Sequence, residues 1–471
     1  LKGDVWTFWT WWLLAGVMGF AAMPVTGRLF WRFEDKGWIF SKVLAIAATG
    51  FLTWFLTAIR LIPFNALTCA AVTILCAVIC FFLLRKESKE KTECFPVDRI
   101  SLIYWEELLF FLAFLMWTYL AGFRPAAYGT EKFMDYGFME AMMRSTTLPA
   151  RDLWYSEGHI NYYYGGQYFA VFLTKLSHTK VELTYNLMRT FVAGLAFAMP
   201  FSLVYQMMSD RMKGLQKSEK VIKGLPFAAG FTAGTAVSIA GNMHYVIYAQ
   251  IIPLIEKLTG KEVSSYWFPD ATRYIGYNPY REEDRTIHEF PCYSFVLGDL
   301  HAHVVNIMFV LLVIALLYVW LRGVRKKTVP VETSMKDGKF WKEQLLMPHL
   351  LVISALLGMF QWTNFWDFVI YYVVTLGTVL FANIIRFQGK IKKIMVVTFA
   401  QMAEIYLLAY LVILPFTLQF DTMVDGIGIA KYHSYFYQLL VLWGLPAVFT
   451  ITFVISILWE KLRGMEHKSL Y

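Results

Sequence analysis

Long apolar runs alternate with short polar ones along most of this chain. Apolar stretches of about 20 residues, each enough to cross a bilayer core as a helix, recur throughout. They lie near residues 5–26, 38–60, 63–85, 101–122, 184–208, 225–250, 303–322, 347–365, 367–386, 394–417 and 435–459. The pattern predicts an all-α polytopic membrane protein with about eleven transmembrane helices. The first run carries no cleavable leader pattern. Two connections break the rhythm, residues 123–183 and 256–302, and loops this long inside a compact protein are usually functional.

Charge orients the chain. Arg85, Lys86, Lys89 and Lys91 follow the third run, and Arg211, Lys213, Lys217, Lys220 and Lys223 the fifth. Arg325, Lys326, Lys327, Lys336 and Lys339 follow the seventh, Arg386, Lys390, Lys392 and Lys393 the ninth, and Lys461 and Arg463 the last. If the runs alternate in direction, all these segments share one face, which the positive-inside rule makes cytoplasmic. Both long loops then lie outside. The chain is expected to be an integral protein of the cytoplasmic (plasma) membrane with its working face in the extracytoplasmic cell envelope. Residues 1–98 read as three N-terminal transmembrane helices and a cytoplasmic linker, and 99–471 as a transmembrane core with both outer loops. No internal repeat or low-complexity tract is visible, which argues against a transporter built of two related halves.

Composition agrees and removes two alternatives. The chain is 58% hydrophobic and 16% charged, far below the roughly 25% charged residues of soluble proteins. Its formal charge of +9 is dispersed among short loops, so it reflects topology rather than a nucleic-acid partner. Cys69, Cys76 and Cys80 share one apolar run, Cys94 sits in a charged linker and Cys292 in a polar loop. That distribution is neither a disulfide framework nor a metal-ligand spacing.

Candidate chemistry concentrates in the two outer loops and at nearby span mouths. Residues 131–144, EKFMDYGFMEAMMR, read as an amphipathic interfacial helix with Met134, Phe138, Met139, Met142 and Met143 on its apolar side. Glu131 and Asp135 are four apart and share a face, either as a solvated pair or as a carboxylate base with a supporting neighbour. Pro149 ends the helix, Asp152 and Trp154 occupy the following turn, and Gly158 permits a second reversal. From Asn161 a helix is expected to run toward the membrane, opening on Tyr162, Tyr163, Tyr164, Gly165 and Gly166. The tyrosines suit an interfacial aromatic belt, or the wall of a sugar or phosphate site where glycine lets a ligand approach the backbone.

The second loop ends in TIHEFPCYSFVLGDLHAHVVN, residues 286–306, with Glu289, Asp299, His301 and His303 close together. Asp-x-His-x-His resembles a metal-ligand string. An extended backbone would align all three side chains, whereas a helix would align only Asp299 and His303. Binding of a divalent cation such as Mg or Mn, hydrogen bonding to a phosphate or sugar, and structural roles remain open. Arg273 is the loop arginine best suited to a phosphate. In QWTNFWDF, residues 361–368, Asn364 and Asp367 are expected to face one cavity mouth between Trp362 and Trp366. Asn242 and His244 lie in the sixth run, able to reach the cavity from below, and Glu106 and Glu107 early in the fourth read as interfacial or packing groups.

The loop sequence 131–169, EFPCYSFVLGDLHAHV and TNFWDF together resemble the YYY-type membrane proteins, over about residue 1 to beyond 370. That family is similar to the membrane-embedded C-type glycosyltransferases. The resemblance implies a shared core that begins at the fourth span, an essential acid in the first outer loop where Glu131 and Asp135 stand, and a polyprenyl-phosphate-linked sugar as donor. Two positions depart from the family pattern. Leu148-Pro149-Ala150-Arg151-Asp152 replaces Pro-Pro-x-Asp, and Gly166-Gln167 stands where Gly-His often follows the tyrosines, so no histidine role carries over there.

The expectation is a membrane glycosyltransferase moving a sugar from a polyprenyl-phosphate donor to a glycan, lipid or protein acceptor on the outer face. Asp135 would be the base with Glu131 supporting it. Arg273, His301 and His303 would meet the phosphate, with or without a cation that Asp299 helps hold. Asp152, Asn161, Tyr162, Tyr163 and Tyr164 would orient sugar or acceptor, and Glu289, Asp299, Asn364 and Asp367 would complete the cavity. The rivals are a transporter or flippase, a noncatalytic binder of lipid-linked glycans, and a metal-dependent hydrolase built on Asp299, His301 and His303.

Overall fold

A computed structural model describes residues 2–87, 95–214, 219–324, 335–422 and 428–462. Cys94, Lys89, Lys91, Lys217, Arg325, Lys326, Lys327 and Arg463 lie outside the described residues. Among those described, regular structure is helical, with only isolated bridges at Arg151–His159 and Tyr277–Tyr280. The helices are α1 (Lys2–Leu29), α2 (Trp38–Ala58), α3 (Ala66–Glu87), α4 (Ile100–Ala121), α5 (Lys132–Arg144), α6 (Gly165–Leu176), α7 (Val181–Gly214) and α8 (Glu219–Ser238). They continue as α9 (Ile252–Leu258), α10 (Pro291–Leu297), α11 (Ala302–Val324), α12 (Gly338–Gln344), α13 (Pro348–Thr363), α14 (Phe365–Phe387), α15 (Ile391–Thr417) and α16 (Phe436–Leu462).

Nine of the described helices are long and apolar enough to cross a membrane, and ten spans result if α12 and α13, bent by 55°, act as one. The protein is therefore an all-α polytopic membrane protein. Two of the eleven expected spans differ. The run at 225–250 is broken, because α8 stops at Ser238 and the chain turns through Gly241 and Asn242 before a π-helix at Val246–Ile251. Asn242 donates to Ala271 O at 2.6 Å and Met243 N to Val441 O at 2.9 Å, which replaces bonds a continuous helix would have made. The run at 347–365 yields only the 16 residues of α13, with Pro348 in its first turn.

The chain forms two compact units. The larger comprises Leu1–Gln206 and Gly298–Asp421, so the first three helices share it with α4–α6 and α11–α15. Its helices alternate in direction. At one end, Trp11 of α1 donates to Ser177 Oγ at 3.1 Å, and Trp54 of α2 to Tyr164 OH at 3.0 Å. At the other end, His349 at the start of α13 donates to Leu29 O at 2.7 Å, and Arg28 to Leu83 O at 3.2 Å.

The core of this unit is built around α6. Every residue from Gly165 to Lys175 is buried. Twelve residues make a rod of about 18 Å, too short to span a bilayer and enclosed by protein, with its polar side chains Gln167, Thr174 and Lys175 hydrogen-bonded inside. Trp362 stacks on Trp54 at 4.3 Å and lies 5.2 Å from the Tyr168 ring and 5.7 Å from that of Phe169.

Charge is also buried near the second end. Lys42, wholly buried, pairs with Glu107 at 2.7 Å, and Trp38 Nε1 donates to the same carboxylate at 2.9 Å. Glu106 is buried beside Asp35, whose carboxyl is raised by burial and opposed by the N–H groups of Gly37 and Trp38. Glu106 is internal and Glu107 is 21% exposed, two residues expected as interfacial or packing groups.

The smaller unit comprises Met207–Leu297 and Thr422–Tyr471. Tyr274, Ile275, Val441 and Leu442 form its buried cluster, with Ile247 and Tyr248 against it. His244 stacks on Tyr248 at 4.4 Å, and burial holds its imidazole below the ordinary histidine range.

Small residues set the spacing between long helices. A Cβ on Gly358 of α13 would stand 2.5 Å from Ala409 O of α15, and backbone cannot rotate away. Gly358→Val is expected to cost roughly 1–3 kcal/mol, read as a lower thermal midpoint of the detergent-solubilised protein. Gly377→Val, where nothing lies within 4 Å, is the control expected to leave that midpoint in place.

Candidate functional site

The site is assembled at the end of the larger unit that holds α5, α6 and the start of α11. Helix α5 is approached through left-handed backbone at Gly129 and Thr130, and Glu131 immediately precedes its first residue. It buries Phe138, Met139 and Met142, as its apolar periodicity predicts, and buries Asp135 with them. Glu131 and Asp135 share a face yet end in opposite environments. Glu131 remains 60% exposed, its Oε2 3.5 Å from His301 Nε2. Asp135 is fully buried and accepts from Gln167 Nε2 at 2.7 Å. The same amide nitrogen donates to Leu300 O at 3.0 Å. One side chain of α6 thus fastens α5 to the segment leading into α11. Asp135, expected as the base, has no surface on which to meet a substrate, whereas Glu131 has.

The segment before α11 owes its path to Gly298, whose φ of +96° is left-handed. A Cβ there would lie 2.9 Å from Arg189 Nη1 and 3.2 Å from Lys132 Nζ, so two cationic heads converge on the glycine backbone. Both residues are buried, and burial holds the Lys132 ammonium below the ordinary lysine range, with Asp299 opposing the shift. Asp299, 2% exposed, accepts from Thr130 and lies 3.8 Å from His301 Nε2. Two carboxylates, one exposed and one buried, therefore approach the same imidazole nitrogen.

A second polar group adjoins α11. Asn306 donates to Asp367 Oδ2 at 2.6 Å, Asn364 donates to the same oxygen at 2.8 Å, and Thr363 donates to Asn306 Oδ1 at 2.8 Å. His303 couples electrostatically to Asp367. Asn364 and Asp367, expected to face one cavity mouth, are hydrogen-bonded to each other. The flanking tryptophans separate, since Trp362 is buried and Trp366 is 70% exposed. The rings of His301 and His303 are 5.6 Å apart. One nitrogen of each of these two imidazoles lies within 4.8 Å of the other, close enough to share a cation, and Asp299 Oδ2 lies 3.8 Å from His301 Nε2.

The three tyrosines precede α6 instead of opening it, and they radiate. Tyr162 lies 5.6 Å from the Phe138 ring, and burial, with Asp135 and Glu131 nearby, pushes its phenol up to about 12. Tyr163 lies between Phe420, at 5.2 Å, and Phe365, at 6.5 Å. Tyr164 turns inward, 2% exposed and bonded to Trp54. Tyr164 is therefore a core residue and does not join a ligand wall. Asp152 accepts from the N–H groups of Trp154 and Tyr155 at 2.7 and 3.0 Å, which shapes the hairpin that lays Trp154 against Gly137 of α5. Asn161 exchanges two bonds with the backbone of Asp421, donating at 2.9 Å and accepting at 3.0 Å. Asp152 and Asn161 hold the loop in shape rather than facing the acid–base group.

Arg273 and Glu289 belong to the smaller unit. Arg273 donates to Pro269 O at 3.4 Å and leans on Trp267, while Glu289 accepts from Ser294 Oγ at 2.9 Å beside α10. Four residues of the site escaped the sequence reading: Lys132, Gln167, Arg189 and Asn306. Arg189 carried a signal, since an arginine inside the apolar run LMRTFVAG is costly and tends to mark function. Gln167 had none without its tertiary neighbour.

A bundle of apolar helices that encloses ionisable groups between its spans defines a polytopic membrane protein. The chain belongs to the family described as Uncharacterized membrane protein (DUF2298), which it matches over residues 48–471. No curated protein matches it, and no solved structure matches it.

Gln167→Leu keeps the volume of the side chain but withdraws the donor from a buried carboxylate, a change worth roughly 1–3 kcal/mol or more. The expected outcome is a clearly lower thermal midpoint. Tyr164→Phe removes one neutral bond and is expected to cost only about 1 kcal/mol. Equal midpoints for Gln167→Leu and wild type would show that the bond does not hold the site.

Proposed function

We propose that this protein is a membrane glycosyltransferase that transfers a sugar from a polyprenyl-phosphate donor to an acceptor hydroxyl on the outer face of the cytoplasmic membrane. The observation that carries the reading is the meeting of the accessible Glu131 carboxylate, with the largely buried His301 beside it, and the converging cations Lys132 and Arg189. Transfer needs both halves. The acceptor O–H gives its proton to the Glu131 carboxylate while its oxygen bonds to the anomeric carbon. The bond from that carbon to the phosphate oxygen breaks, and its electron pair leaves with polyprenyl phosphate. Positioned cations stabilise charge that develops on such a leaving group.

The remaining residues take supporting parts in this scheme. Asp299 orients His301 from its buried side. Asp135 and Gln167 position α5 against α11, so the two acids divide their roles by exposure: the buried acid positions and the exposed acid exchanges the proton. Tyr162, beside the acid pair, would contact the sugar, and the isoprenoid tail would remain in the surrounding lipid. The sequence resemblance to C-type glycosyltransferases supports the donor class.

The test is release of polyprenyl phosphate from a panel of polyprenyl-phosphate sugars by the purified protein, with water as a slow acceptor. Glu131→Gln is expected to lower release by about 100-fold or more without moving the thermal midpoint, because the side chain is largely exposed. Lys132→Gln is expected to slow release as well. Equal release by Glu131→Gln and wild type would remove Glu131 as the base. Folded wild-type protein that binds the donors and releases none would favour a noncatalytic binder of lipid-linked glycans.

A further inference from the structure

Two cavities meet at the end of the larger unit opposite the candidate site. One, of about 940 Å³, is lined by Arg28, Lys342, His349 and Arg386, with Glu343 the acid among its described lining residues. The other, of about 290 Å³, runs between α1, α2, α3 and α13, and its walls are aliphatic, aromatic and cysteine side chains with Thr49 and Thr73. Both threonine hydroxyls are spent on their own helices, donating to Ala45 O at 2.7 Å and Cys69 O at 2.8 Å. Val25 and Leu29 line both cavities, so a basic chamber opens onto an apolar slot.

Each part asks for a different chemistry. The slot offers water nothing to bond, and such a space stays dry or takes hydrocarbon. In the chamber, Arg386 is only 5% exposed, with Nη2 donating to Gln344 Oε1 at 2.7 Å and Nη1 to Asn383 Oδ1 at 3.3 Å. Its Nε is buried without a hydrogen-bond partner among the described residues. A buried guanidinium N–H left unsatisfied is costly, and a phosphate oxygen is a fitting partner for it. A free anion would leave the slot empty, and a hydrocarbon alone would leave Arg386 unsatisfied.

We propose that one phospholipid with an anionic headgroup occupies both cavities. Its phosphate meets Arg386, Arg28 and Lys342 flank the headgroup, and one acyl chain follows the slot along α1. From Leu29 to Met18 that helix covers about 16 Å, room for much of a fatty-acyl chain. The lipid seals the seam where α1–α3 meet α13. The site is separate from the proposed transfer chemistry and does not depend on it.

The test reconstitutes the full chain into nanodiscs of equal phosphatidylglycerol and phosphatidylcholine, re-extracts it in mild detergent, and counts retained lipid by native mass spectrometry. About one phosphatidylglycerol per chain is expected, enriched roughly tenfold over phosphatidylcholine, a difference of about 1.4 kcal/mol. Arg28→Gln with Lys342→Gln should bring the two lipids toward parity. Ala48→Phe, whose new ring enters the slot from an exposed position, should expel the lipid. A large excess of inorganic phosphate should leave it bound. Equal retention of both lipids by wild type, enrichment unchanged in both variants, or displacement by inorganic phosphate would each overturn the proposal. The wild-type comparison needs no substitution, so it stands even if a variant fails to fold.

Discussion

A carboxyl group enclosed by protein must be given hydrogen-bond donors, and the contact between Gln167 and Asp135 is where this chain meets that demand. The amide of Gln167 reaches Asp135 on α5 and Leu300 O ahead of α11 at once, from a helix buried on all sides. The positions of Glu131, His301, Asp299 and Lys132 all follow from that fastening. Move α6, and the two segments that carry the acid–base pair and the cations lose their common reference. The aromatic core around Trp362 is the other half of the constraint, since it holds α6 against α2 and α11 through Trp54, Tyr168, Phe169 and Phe309.

Polar chemistry in the larger unit is divided between its two ends. At one end, buried charges lie close to an exposed acid and a largely buried imidazole, an arrangement suited to moving a proton while holding an anion. At the other, the basic chamber continues into an apolar slot, an arrangement suited to holding an amphiphile still. Between them the helices pack through glycine and aromatic contacts, such as Gly358 on Ala409 and Trp362 on Trp54. Water excluded from that middle layer strengthens the electrostatic contacts at both ends, because the dielectric screening there is low.

The apolar runs determined the membrane class, most of the spans and the interfacial helix at 132–144, because hydrophobic length and 3.6-residue periodicity are local properties. The polar residues singled out in the outer loops include Glu131, Asp299 and His301, which the fold brings together, and Asn364 and Asp367, which it bonds to each other. What a residue does there was not local. Glu131 and Asp135 are indistinguishable by spacing, yet one is solvated and the other sealed, because only packing of α6 covers the second. Tyr162, Tyr163 and Tyr164 are one repeated letter in sequence and three separate environments in space. The broken run at 225–250 is apolar enough to span, but bonds to Ala271 and Val441, distant in sequence, favour a turn. Gln167, Lys132 and Arg189 acquired their places through neighbours up to about 170 residues away, as Arg189 and Lys132 did at Gly298. Hydrophobic pattern is written residue by residue and determined where the chain enters the membrane. Burial and charge pairing are properties of contacts, and only the tertiary structure decided them.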